Sequence, residues 1–144
     1  MKRHHGIFSS VLIGVIIFGG VLSSCAPKLP DEVSKKSVKE LMADLKSEDG
    51  TTKAQAATAL GLKGSQAKEA VPALIELFKD RKPYIQNTAM KSLVQIGKDA
   101  VPALIQAYET GDKTVQFYAA NTLKKIGTDK AMAVYQKHVA SGGK

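Results

Sequence analysis

VPALIELFKDRKPYIQNTAMKSLVQIGKDA, residues 71–100, runs without a gap into VPALIQAYETGDKTVQFYAANTLKKIGTDK, residues 101–130. The two thirty-residue segments are identical at 11 positions, and the identities fall in a pattern. Val71/Val101, Leu74/Leu104, Ile75/Ile105, Ala89/Ala119, Leu93/Leu123 and Ile96/Ile126 are apolar pairs, followed by Gly97/Gly127 and Asp99/Asp129. Self-similarity at a period of about 20–50 residues marks a chain built from stacked supersecondary units.

Within each period the apolar spacing changes phase once. Val71, Leu74, Ile75 and Phe78 fall at i, i+3, i+4 and i+7, one face of a helix, and Val101, Leu104, Ile105 and Tyr108 repeat them. Ile85, Ala89, Leu93 and Ile96 form a second stripe, echoed by Val115, Ala119, Leu123 and Ile126. The turn residues DRKP and TGD separate the two helices, and Gly97 and Gly127 stand where a left-handed cap ends the second. VPALI is then a helix start fused to a core stripe: Pro72 and Pro102 sit in the first turn, where a missing N–H costs little, and Asp99 is placed to cap the helix beginning at Ala100.

The pattern decays in both directions. Upstream, Val38, Leu41, Met42 and Leu45 make another first-helix stripe, and Ala56 and Leu60 align with Ala89 and Leu93. There Lys63 replaces the isoleucine, and three extra residues precede Val71, giving an enlarged inter-repeat loop. Downstream, Asp129, Ala131, Val134 and Tyr135 stay in phase. The expectation is about three and a half repeats and seven helices, the last acting as a cap.

These segments resemble HEAT repeats, particularly the short thirty-residue bacterial type also found in phycobilisome bilin lyases, whose pattern is an acidic turn, Val-Arg, Ala-x-x-Leu and Ile-Gly. The likeness spans about Ser34 to Ser141 and implies an all-α fold, a short α-solenoid of helical hairpins. The arginine of that pattern falls at Lys53, Gln86 and Gln116, a departure that puts the usual inter-repeat ion pairing with turn aspartates in question.

The N-terminus has a different character. Met1 to His5 is basic, Ile7 to Leu22 strongly apolar, and small residues follow, the layout of a secretory signal peptide. It ends on Leu22-Ser23-Ser24-Cys25, which resembles the lipobox of bacterial lipoproteins. That resemblance implies cleavage before Cys25, a diacylglyceryl thioether on its sulfur and an acylated (palmitate-type) amino group. Two or more chains anchor stably where one binds marginally, at about 0.8 kcal/mol per buried methylene. An uncleaved transmembrane helix is the alternative, since no charge occurs from Gly6 to Pro27, although Ile7–Leu22 is shorter than the ~20 apolar residues preferred. The expected organisation is a signal peptide over 1–24, a lipidated tether over 25–33 and the repeat domain over 34–141. Ala26 after the cysteine, by resemblance to lipoprotein sorting patterns, implies the outer membrane where there is one, and otherwise the outer face of the plasma membrane.

Composition suits a folded chain, with 44% hydrophobic residues and a net charge of +8. Without Lys2 and Arg3 the balance is 19 basic against 13 acidic side chains, or +6, spread with no long block of one sign. The single cysteine allows no intramolecular disulfide. Outside the leader the only histidine is His138, in the phase of Phe78 and Tyr108, so neither a metal set nor a nucleophile with its base can be assembled. The acidic residues mark turns, helix starts and solvated helix faces, and no phosphate loop follows a strand. The expectation is no enzyme, no cofactor, no metal and no small-molecule substrate.

What remains is surface. Second helices of such solenoids line the concave face, and Asn87, Met90, Lys91 and Val94 on one, with Phe117, Ala120, Asn121 and Lys124 on the next, turn away from the core stripes. They are the candidate groove for a protein or peptide partner, unless Met90 and Phe117 simply pack between repeats; Tyr84 and Tyr118 are weaker candidates. The leading expectation is an interaction scaffold of the bacterial envelope, tethered to the membrane through Cys25. A binder of an anionic polymer is the alternative, with export arguing against nucleic acid, and a relative of the bilin lyases the least supported.

Overall fold

Four of the helices begin where a short polar side chain closes the first turn, and those that open at Val71, Pro83 and Val101 carry a proline in theirs. Ser37, in a capping box with Glu40, opens one helix; Asp49, Asp112 and Thr128 accept from backbone N–H groups at the start of three others. The computed structural model describes residues 29–143. Leu22, Ser23, Ser24 and Cys25 lie outside the described residues.

A one-turn helix α1 (Asp31–Lys35) precedes α2 (Val38–Asp44), α3 (Gly50–Leu62), α4 (Val71–Glu76), α5 (Pro83–Ile96), α6 (Val101–Thr110), α7 (Lys113–Ile126) and α8 (Asp129–Ala140). No strand occurs among the described residues. α2/α3, α4/α5 and α6/α7 are hairpins, and α8 is the first helix of a further unit, which makes seven repeat helices after α1. The second helices α3, α5 and α7 lie side by side in one layer, and α4, α6 and α8 succeed one another in the other. Gly97 (φ 78°) and Gly127 (φ 72°) end α5 and α7 in conformations that favour glycine.

The core lies between the layers. Leu41, Leu60, Leu74, Phe78, Ile85, Leu93, Leu104 and Leu123 are wholly buried, each stabilising the fold by about 1.5–3 kcal/mol. These are the residues of the predicted stripes. Gly61 faces α5 so closely that a Cβ there would meet the backbone of Ser92 at 2.8 Å, so α3 and α5 form their close junction because no side chain intervenes.

Four expectations need correction. Asp99 caps nothing: α6 begins at Val101 and is entered through a 3₁₀ turn, Gly97–Ala100, in which the Val101 N–H already bonds the Lys98 carbonyl. The enlarged loop before Val71 is a 3₁₀ segment, Gly64–Ala70, that buries Ala67 and Ala70. The stretch expected to be tether is docked at its distal end, with Leu29 and Val33 packed against the core. Ala120, assigned to the open face of α7, is fully buried, because α7 is covered by α5, α6 and α8 and not along a single stripe.

Candidate interaction surface

The layer of second helices has a distinct chemistry. α3, α5 and α7 contain no Asp or Glu, while Lys53, Lys91, Lys113, Lys124 and Lys125 lie on them. Every carboxylate of the sequence stands on α1, on first helices, in 3₁₀ segments or in turns. One layer therefore carries positive and neutral polar groups, and acidic groups gather elsewhere.

A run of polar contacts ties the layer together. Lys53 Nζ on α3 lies 2.7 Å from Asp80 Oδ2 in the α4–α5 turn, with both side chains largely buried. Gln86 Nε2 on α5 donates to the carbonyls of Asp80 (2.8 Å) and Phe78 (3.0 Å), and Tyr118 on α7 donates its hydroxyl to Gln86 Oε1 at 2.8 Å. The inter-repeat ion pair put in question by the missing arginine thus exists at one junction, because the lysine at that position is long enough to reach the next turn. At the following junction a neutral amide takes its place. Burial acts against the charged form of Asp80, but the Lys53 ammonium and the Lys82 backbone N–H outweigh it and hold the carboxyl below its ordinary range.

The candidate groove residues are divided by the structure. Asn87 and Lys91 are exposed on α5, whereas Met90 and Val94 are half-buried, Met90 against the core. Phe117 is 40% exposed and meets the Tyr118 ring edge-on at 5.4 Å. Asn121 spends its amide on the Phe117 carbonyl at 2.8 Å, and Lys124 lies over the Tyr135 ring of α8, 4.8 Å from its centroid. Tyr118 is an inter-repeat residue, stacked on Phe78 at 5.3 Å. Asn87, Lys91 and Lys124 keep the open character expected of them, and Phe117 keeps part of it.

Two cavities adjoin this layer. One, about 310 Å³, lies between Leu29, the outer face of α3 (Thr51, Gln55, Thr58) and Tyr84, which is half exposed. The other, about 350 Å³, is bounded by Tyr108, Lys113, Gln116, Phe117 and His138. The α3 face was missed at the level of sequence because its outward residues are small and polar; Tyr84 was its one visible signal. Among the described residues no three His, Cys, Asp or Glu side chains could jointly hold a metal ion, and no helix is long and apolar enough to cross a membrane.

Comparison with known families agrees with this architecture. No curated protein matches the chain. The family model for HEAT repeats matches residues 38–100, from the start of α2 to the end of the 3₁₀ turn after α5. Residues 38–100 are similar to HEAT repeats, and with α6–α8 stacked on them in the same register the chain is a short all-α solenoid.

Proposed function

We propose that this chain is a non-catalytic protein–protein interaction module, held at the bacterial cell envelope by lipid on Cys25 and engaging its partner along the second-helix layer. HEAT repeats generally mediate protein–protein interaction, which supports a protein partner over a substrate. The observation that carries the reading is the absence of carboxylates from α3, α5 and α7, with Tyr84, Asn87, Lys91 and Phe117 open on that layer. Exposed aromatic and amide groups give contact area and backbone hydrogen bonds, and the lysines set the sign of the partner. Selectivity comes from shape and charge, with no bond made or broken. Leu29 lies against α3, so a lipid on Cys25 would tether the domain from the side that bears this layer.

The same lysines favour a second reading, an acidic polymer as ligand. Salt separates the two: a polymer gripped by several lysines loses affinity steeply with ionic strength, whereas a contact built on Tyr84 and Phe117 does not. Affinity capture with the protein from Pro27 onward, beside an Asn87→Ala/Lys91→Ala/Phe117→Ala variant, tests the surface. Capture of the same partners by both proteins would remove it from consideration. Mass spectrometry of the mature N-terminus tests the anchor, and an unmodified Cys25 would end that part of the reading.

A further inference from the structure

The cations of the second-helix layer lack counter-ions. Among the described residues Lys91, Lys113, Lys124 and Lys125 are exposed and stand in no ion pair; of the layer's lysines only Lys53 is neutralised, by Asp80. At the edge of the layer Asp49 and Asp112 cap their own helices, so both carboxylates are spent on backbone N–H groups. Helix stability explains only part of this pattern. Lys124 and Lys125 stand in the last turn of α7, where the macrodipole favours a cation. Lys113 stands in the first turn, where the dipole disfavours one, and Lys91 has Asn87, Thr88, Val94 and Gln95 at helical spacing and no carboxylate to pair with. Those two charges have no use within the fold.

Residue type points to the kind of surface they meet. Every cation on α3, α5 and α7 is a lysine, with no arginine among them. Arginine, with its planar fork, is the cation enriched at protein interfaces. Lysine is depleted there, and its compact, strongly hydrated ammonium suits a diffuse negative surface better than a fitted carboxylate. On the same layer the rings of Tyr84 and Phe117 are 50% and 40% exposed, and such a mixture of aromatic and cationic groups lies well at the headgroup level of a bilayer.

Position agrees with chemistry. Leu29 lies on the outer face of α3 with Thr51, Gln55 and Tyr84, and Cys25 is four residues earlier, a span of at most about 14 Å. A bilayer that holds the chain, by lipid on Cys25 or by the apolar run ending at Leu22, therefore begins on this side of the domain. We propose that the second-helix layer, when no partner occupies it, lies against a bilayer containing anionic lipid, with its lysines over the headgroups and Tyr84 and Phe117 between them. Membrane and partner then compete for one surface, and the partner must lift the layer to reach it. The inference rests on the reading of this chain as a membrane-held module that uses this layer as its contact surface.

The chain has no tryptophan, so Phe117→Trp places a single reporter on the layer and Gln106→Trp one on the exposed side of α6, in the opposite layer. The test is quenching of each by brominated phosphatidylcholine, with the full-length chain reconstituted in vesicles of phosphatidylcholine alone or mixed with phosphatidylglycerol. Quenching is expected at position 117 and not at 106, in the anionic vesicles, and should fall as salt shortens the screening length from about 10 Å at 0.1 M to about 3 Å at 1 M. Lys113→Gln/Lys125→Gln leaves Asn87, Lys91 and Phe117 in place and should lower the ratio of apposed to lifted layers roughly 25-fold, at about fivefold per lysine, with helical circular dichroism unchanged. Equal quenching at the two positions, quenching as strong in neutral vesicles, or quenching that neither salt nor the lysine variant reduces would overturn the proposal. Failure of the chain to float with neutral vesicles would remove the anchor and this inference together. No quenching at position 117, beside partner capture that still depends on Asn87 and Lys91, sinks this inference alone; quenching there, beside capture indifferent to those residues, sinks the protein groove alone.

Discussion

The two junctions between second helices solve one problem with different chemistry. Between α3 and α5 a glycine, Gly61, lets the helices close on Ser92, and a charged pair, Lys53 with Asp80, locks the next turn. Between α5 and α7 the contact is aromatic and neutral: Tyr118 on Phe78, its hydroxyl on Gln86. Both converge on Asp80, whose carboxylate takes Lys53 and whose carbonyl takes Gln86. The repeat thus requires a long polar side chain at one position, and the turn decides whether it is charged. Thr110 stands where Asp80 would be in the next unit, and no ion pair forms there.

The largest test of that contrast is Phe78→Ala. The ring is wholly buried and is the platform for Tyr118, so its removal should cost about 3–5 kcal/mol by urea denaturation. Tyr108→Ala, one repeat later and facing a cavity, should cost clearly less; equal losses would mean the two units are packed alike. Lys53→Met comes next, at about 1–3 kcal/mol, because Asp80 is left buried without its cation. Lys53→Arg should retain most of the stability.

Acid sharpens the same junction. The carboxyl of Asp80 is held below its ordinary range, so its stabilising contribution is present above its unfolded pKa of about 3.9 and is lost as pH falls through the lower folded value. Thermal melts from pH 6 down to 2 should show that loss in the wild type and a smaller one in Lys53→Met; parallel curves would separate Asp80 from Lys53. Smallest of all, Asn87→Ala should change stability by less than about 0.5 kcal/mol, since the side chain is exposed and makes none of the contacts above. Its effect should appear in partner capture only.

Much of the fold was legible because helical repeats write their core at fixed spacing. The stripes at Val71–Phe78 and Ile85–Ile96, their echoes thirty residues on, the prolines in the first turn and the glycine caps all stand where periodicity placed them. What failed had no local signal. Asp99 reads as a cap by residue type, yet a 3₁₀ turn fed its carbonyls to the helix first. Lys53 and Asp80 are 27 residues apart, and their pairing depends on the reach of a side chain across a junction. Ala120 looked like surface because a helix wheel assumes one covered face, and α7 has three neighbours. Of the candidate groove residues only Asn87, Lys91, Phe117 and Lys124 are exposed as expected, while the α3 face and the cavity beside His138 emerge from packing.

The most direct measurement is a double-mutant cycle between Gln86→Ala and Tyr118→Phe, by equilibrium denaturation. If α7 docks on α5 as described, the two losses are not additive, and a coupling of about 0.5–1.5 kcal/mol remains. Additive losses would mean that the hydroxyl and the amide do not meet, and the stacked register of the two repeats would be contradicted.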